Sequence, residues 1–328
     1  MIKKLLSLSA CALLALTPLA SCGSIASAQK SNSKPHIVCT IFPEYDWVNQ
    51  ILGSHADDFE VTYLLSNGSD LHNFQPSIDD IAKISTCDLF IYTGGESDKW
   101  AEDAVKNSPN ANMKTINLLD TLGDSVKEEE LKEGMQECEN EEGEEHGDEP
   151  EYDEHVWLSL ENAETICKEI TLQICSIDSE NSDEYQENSS EYINKLSELD
   201  SNYRAELDSL KNTTLIFADR FPFRYLTDEY GLDYFSAFAG CSAETQASFE
   251  TITFLAQKAD LTNADTIFTI EGSDNSIANA VINATEKKNQ KIVSLNSIQS
   301  VSQAQIDSGA TYLSIMKQNL NKLKEALD

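Results

Sequence analysis

Two histidines and three carboxylates hold the positions in this chain best suited to chemistry. His72 lies in "NGSDLHNFQPS" (67–77) and His155 in "YDEHVWLSL" (152–160). Asp219 lies in "IFADRFPFRY" (216–225), and Glu271 and Asp274 in "FTIEGSDNS" (268–276). Each segment reads as a turn at or near the carboxyl end of a strand-like run, where ligands gather in open parallel α/β sheets. Singly, His72 suits a surface or capping role, and His155 a core imidazole bonded to backbone. Jointly, two imidazoles and carboxylates make a donor set for a divalent ion. Such a set suits Zn2+ in a closed tetrahedral site, and Mn2+ or Fe2+ with more oxygens. The chain has no His-Glu-x-x-His or Gly-x-Ser-x-Gly of a hydrolase, and no Gly-x-x-x-x-Gly-Lys-[Ser/Thr] phosphate loop.

The elements that must position these residues alternate in type. "HIVCTIF", "FEVTYLL", "DLFIYTGG" and "MKTINLL" are strand-like. Between them "EYDWVNQILG", "SIDDIAKIST" and "DKWAEDAVKN" are helical, the second opening on a Ser77-x-x-Asp80 capping pattern. The later half repeats the alternation: "TTLIFADRF", "LDYFSAFAG", "DTIFTIEG" and "KIVSLNS" as strands, with helices at "PFRYLTDEYG", "SAETQASFETITFLAQKAD", "SIANAVINATEKKNQ" and 302–327. Strands separated by short helices imply parallel sheets with right-handed crossovers. The expected class is α/β: two Rossmann-like lobes, 36–181 and 213–328, with the ion in the cleft between them. Residues 182–212 carry one apolar stripe (Tyr185, Tyr192, Leu196, Leu199, Tyr203, Leu207, Leu210), which predicts a long, rigid helix joining the lobes.

Charge and targeting narrow the setting. Lys and Arg number 23 against 57 Asp and Glu, a net charge of −34 over 328 residues. That field disfavours nucleic acid and anionic lipid, and suits a cationic ligand. Residues 1–21 read as a signal peptide with Lys3 and Lys4 before an apolar run. The tail Leu19-Ala20-Ser21-Cys22 resembles a bacterial lipobox, which implies lipidation of Cys22, a tether over 22–35 and a body held outside the membrane. Six further cysteines show no CxxC spacing and leave pairing open. From Glu128 to Glu154 there are fifteen acidic residues. The span 128–150, with His146 its one imidazole, is expected to be mobile and to collect ions weakly.

The motifs then resemble one family. "GSDLHNFQPS" looks like the G-x-D-x-H-x-[YF]-x-P-[ST] motif of the metal-binding lipoproteins that serve zinc and manganese ABC importers. "DEHVWLSLEN" is similar to that family's D-P-H-x-W-L-[SD]-P-x-N, and "FADRFPFRYLTDEYGL" and "FTIEGSDNS" resemble its third and fourth motifs in diluted form. The likeness runs from about His36 to the C-terminus. It implies His72 and His155 as ligands, Glu271 or Asp274 as a fourth, and Zn2+ ahead of Mn2+ as the bound ion. Where zinc members carry their third histidine, this chain has Ala218, and the nearest carboxylate is Asp219. The resemblance also implies an ABC permease and its ATPase as partners, only modest lobe closure, a place on the outer face of the cytoplasmic membrane, and no enzymatic activity. The rival readings are a secreted metallohydrolase, and an adhesin with a structural metal.

Overall fold

Short apolar runs such as Leu89–Tyr92 and Thr266–Ile270 are buried along their whole length, as strands covered on both faces must be. The computed structural model describes residues 34–136, 151–242 and 246–328. The first lobe holds β1 (His36–Cys39), α1 (Phe42–Leu52), β2 (Glu60–Tyr63), α2 (Ile78–Thr86), β3 (Leu89–Tyr92), α3 (Lys99–Lys106), β4 (Lys114–Asn117) and α4 (Leu118–Leu122). Helices α5 (Leu160–Ile177) and α6 (Ser182–Leu207) follow. The second lobe holds β5 (Thr214–Phe221), α7 (Arg224–Tyr230), β6 (Asp233–Ala239), α8 (Phe249–Thr262), β7 (Thr266–Ile270), α9 (Ser276–Ala284), β8 (Lys291–Leu295), α10 (Gln303–Asp307) and α11 (Tyr312–Leu327). All strand pairs are parallel, in the orders β2-β1-β3-β4 and β6-β5-β7-β8. The two-lobed α/β fold expected from the sequence is the fold observed. The lobes share one strand order although no sequence repeat relates them.

Local chemistry explains most boundaries. Ser77 and Asp80 form the anticipated capping box of α2. The helix expected over 302–327 is instead two, because Thr311 adopts an extended backbone and caps a new start by accepting from the Ser314 N–H. Likewise α8 begins only at Phe249, where Ser248 accepts from the Thr251 N–H. The acidic span also differs at its start: Glu128 bridges Tyr152, the Glu129 N–H donates to the Glu151 carbonyl at 2.8 Å, and the Gln136 N–H donates to the Ala237 carbonyl of β6 at 2.9 Å. His146 and residues 137–150 lie outside the described residues, as do the signal, Cys22 and most of the tether.

Helix α6 ties the lobes together. Its 26 residues span about 39 Å. Tyr185, Tyr192, Leu196, Leu199, Tyr203 and Leu207 are buried, whereas Leu210 lies beyond the helix end. The stripe packs on α1 and α5 of one side and on α11 of the other. Each such side chain contributes roughly 1.5–3 kcal/mol by leaving water. Polar links also cross between the lobes: Trp157 Nε1 donates to the Ser297 carbonyl at 2.8 Å, Tyr312 Oη to the Trp157 carbonyl at 2.7 Å, and Tyr63 Oη to the Val301 carbonyl at 2.8 Å. One apolar core therefore runs through both lobes. No helix among the described residues is long and apolar enough to cross a membrane.

Candidate metal centre

Short turns aim the two histidines. Asp70 caps the single 3-10 turn Leu71–Asn73, its Oδ1 accepting from the His72 N–H at 3.0 Å. His155 precedes a second such turn, Val156–Leu158, which leads through the Ser159 cap into α5. The two Nε2 atoms face each other at 3.1 Å. Behind them, His155 Nδ1 donates to Asp153 Oδ1 at 2.9 Å, and that oxygen also accepts from the His155 N–H at 2.9 Å. His72 Nδ1 shares a hydrogen bond with Ser97 Oγ at 2.7 Å and lies 3.6 Å from Glu154 Oε2. When the two rings bond to each other, one of these Nε2 atoms donates to the other; with the proton on each Nδ1 only, both Nε2 lone pairs would be free for one ion. Two bonds of the usual Zn–N length at a tetrahedral angle would set the nitrogens about 3.3 Å apart. The sequence-predicted pair is therefore brought together at near-chelating distance.

The ground behind the rings is acidic. Glu154 Oε1 accepts from the Ser97 N–H at 2.7 Å, while Oε2 is buried without a hydrogen-bond partner. A Cβ at Gly95, whose φ is +80°, would sit 2.5 Å from Glu154 Oε1, so only glycine admits the carboxylate here. Burial raises the Glu154 carboxyl above its ordinary range. Burial, then the charge of Glu154, pushes Asp98 up to about 7. Burial, and then the positive charge of His155, lowers His72 to about 3, so its imidazole is neutral at ordinary pH. For His155, burial pulls downward, but the charge and hydrogen bond of Asp153, with Glu154 and Glu129, leave it raised.

Across the cleft the expected carboxylates are not gathered with the imidazoles. Ala218 packs into the apolar cluster of Ile216, Ala237 and Phe238 and offers no donor. Asp219 lies in an irregular stretch of β5 between Phe217 and Arg220, where its carboxylate accepts from the Arg220 N–H at 3.0 Å and bonds the Ser273 side chain. Glu271, just beyond β7, accepts from the Ser297 N–H at 2.7 Å and Ser297 Oγ at 2.5 Å. Asp274 accepts from the Ser276 N–H at 2.8 Å at the start of α9. Arg220 pairs with Asp70 of the other lobe, and Gln299 Nε2 also donates to Asp70, at 3.1 Å.

The residue that does meet the histidines is Cys241, in the turn after β6. Its Sγ and one ring nitrogen of each of His72 and His155 all lie within 4.8 Å of one another. Spacing gives no hint of this, because the thiol comes from the other lobe. Its one legible signal is a cysteine in a turn that follows a strand. All five cysteines of the described residues are free thiols. A second cluster, Glu161, Asp200 and Glu229, is already bonded by Arg204, at 2.7 Å to Glu161 and 3.0 Å to Asp200.

An imidazole pair in a cleft between two joined parallel-sheet lobes is the architecture of a metal-binding substrate-binding protein. The chain belongs to the zinc-uptake family described as "Zinc-uptake complex component A periplasmic", whose model matches residues 37–326. It is 32% identical over 326 residues to the high-affinity zinc uptake system protein ZnuA of Bacillus subtilis, covering 98% of this chain and 96% of that one. Among solved structures, the metal-dependent lipoprotein YcdH of Bacillus subtilis superposes with a TM-score of 0.72 at 30% identity, over 90% of this chain and 99% of that one. The Zn(II)-bound ZnuA-like domain of Streptococcus pneumoniae AdcA gives a TM-score of 0.70 at 25% identity, over 90% and 100%.

Proposed function

We propose that this protein captures a divalent transition metal outside the cytoplasmic membrane, Zn2+ ahead of Mn2+ or Fe2+, and hands it to an ABC permease driven by a cytoplasmic ATPase. The observation that carries this reading is the pair of Nε2 atoms 3.1 Å apart, each ring held through its other nitrogen. Zinc leads because the similar proteins of Bacillus subtilis and Streptococcus pneumoniae are named for zinc uptake or zinc binding. His72 and His155 are the ligands from the first lobe. Glu271 is the carboxylate proposed from the second lobe, since it lies just beyond β7, is half-buried, and lies near enough to Arg220 for their charges to interact. Asp219 and Asp274 serve their own lobe, the first bonding Ser273 and the second holding the start of α9. Lipidation at Cys22 holds the body at the outer face of the membrane. The protein acts by binding and release, with no turnover of its own.

The test is a Zn2+ titration against a metal-buffering chelator, repeated with Mn2+. Wild type binds one Zn2+ tightly and prefers it to Mn2+. The His72→Ala/His155→Ala variant loses tight binding while its far-ultraviolet dichroism stays native. A variant that still binds Zn2+ like wild type sinks the assignment. Delivery is read as zinc uptake by cells lacking the protein, which should fall at low external zinc. Unchanged uptake there would remove the transport role.

A further inference from the structure

We infer that Cys241 supplies a thiolate ligand to the metal, in place of the imidazole absent at Ala218, and thereby biases the site toward zinc over manganese. The inference rests on the reading of His72 and His155 as ligands.

The geometry supports a built position. Strands β5 and β6 pair side by side, with Arg220 opposite Phe238 and Phe221 opposite Ala239. The methyl of Ala218 is turned into the apolar cluster beside Ala237 and Phe238. Ala218 within β5 therefore offers no donor, and the turn just after the adjacent strand β6 provides one. Three contacts fix that end. The Cys241 N–H donates to Glu129 Oε1 at 3.1 Å, the Ser242 N–H to the Ala239 carbonyl at 3.3 Å, and the Gln136 N–H to the Ala237 carbonyl at 2.9 Å. Gly240 lets the strand end press on the imidazole. A Cβ there would lie 2.9 Å from the Phe221 carbonyl oxygen and 3.1 Å from His155 Cε1. Any side chain at that position would push the thiol away from the ring.

The distances suit coordination. A Zn–S bond of the usual length, set at a tetrahedral angle to a Zn–N bond, separates sulfur from nitrogen by about 3.5 Å. The observed group, all within 4.8 Å, accommodates that separation. On coordination the S–H proton leaves to solvent as the metal–sulfur bond forms. Thiolate is a soft ligand that suits zinc and is a poor partner for manganese. Cys39, Cys87 and Cys167 have no such company and are buried core thiols.

Cobalt reports the sulfur directly. The full chain, reduced and loaded with Co2+, should show a sulfur-to-cobalt charge-transfer band in the near ultraviolet. Cys241→Ser should lose that band, and Cys175→Ser should keep it. For Zn2+, Cys241→Ser should raise the Kd by on the order of 100-fold, about one ligand's share of a four-ligand site. Its preference for Zn2+ over Mn2+ should fall at least about 10-fold. Cys241→His should bind Zn2+ tightly without the band, which guards against a serine variant that merely folds poorly. A wild-type cobalt complex without the band, alongside histidine-dependent Zn2+ binding, overturns the thiolate ligand and leaves the histidine reading intact. Zinc binding that survives loss of both histidines overturns that reading and this inference with it.

Discussion

Replacing Asp153 by asparagine separates the two things its carboxylate does for His155. Oδ1 accepts from both the His155 backbone N–H and Nδ1, each at 2.9 Å. Asparagine keeps an oxygen there, so the ring stays aimed, but the negative charge behind it is lost. From that carboxylate through the ring to an ion on Nε2 is about 6.5 Å, which at an effective dielectric of 20 gives a Coulomb ceiling of about 5 kcal/mol for a divalent ion. The remaining acids, Glu129 and Glu154, and relaxation of the site reduce that ceiling. Loss of a carboxylate behind a ligating histidine typically weakens binding 10–100-fold, about 1.4–2.7 kcal/mol. Asp153→Asn should therefore raise the Zn2+ Kd by roughly that factor in a chelator-competition titration, with an apo melting curve close to wild type. Asp153→Ala removes the acceptor as well. It leaves two buried N–H donors unpaired and should lower apo stability by about 1–3 kcal/mol for each. An asparagine variant with wild-type zinc affinity would refute the claim that His155 binds the ion through Nε2.

Three further perturbations probe the frame. Leu196→Ala, at a fully buried position on α6, should cost about 2–5 kcal/mol in urea unfolding, with both lobes still melting in one transition because they share one core; a two-step transition would contradict the shared core. Asp46 accepts from the Tyr312 N–H at 3.0 Å, and burial raises its carboxyl from 3.8 to about 6. Its folded-state value lies above its unfolded one, so its contribution is full below about pH 4 and is lost as pH rises through 6. The stability of Asp46→Asn relative to wild type should consequently rise by about 2 kcal/mol between pH 4 and pH 7, and a flat difference would show that Asp46 does not titrate in this range. Deleting 137–150 should change the primary Zn2+ Kd by less than about 2-fold while reducing weak extra binding; a large loss would place that segment in the site itself.

What the sequence made legible follows the range over which its patterns act. Strands, helix caps and the α6 stripe are local, and they were readable from apolar spacing and from pairs such as Ser77 and Asp80. His72 and His155 were readable because each sits in a short motif ahead of a helix. The break at Thr311 escaped because the apolar spacing on both sides suits one helix. The partners proposed from the second lobe were hidden for a different reason. Whether Glu271 meets the ion or Ser297, and whether Ala218 faces the cleft or the core, depends on how β5, β6 and β7 lie against the other lobe. Cys241 gains its meaning only from that arrangement. The acidic span misled in part because composition registers charge but not pairing. Its first nine residues, 128–136, bond to β6, the Cys241 turn and the segment Glu151–Tyr152 before His155.

The two histidines differ in how firmly the fold holds them, and that difference bears on release. His155 is fully enclosed, flanked by Trp157, whose ring centroid lies 5.3 Å from its own, and anchored to the start of α5. His72 sits on a one-turn helix in a segment without a strand, and its neighbours Asn73 and Gln75 are exposed. The shared core and the strap of α6 would oppose a wide hinge. The lobes need not swing apart, because zinc–ligand distances in well-formed sites fall within about 0.2 Å of their usual values. On the proposed ligand set, a small displacement of the His72 turn would break the chelate while His155 stays in place. The contacts that resist such a displacement are Ser97 on the ring and the seam of Arg220 and Gln299 on Asp70. Since Arg220 and Gln299 belong to the second lobe, a shift between the lobes would be felt at the His72 turn through Asp70, which would let a rigid joint still release an ion held as proposed.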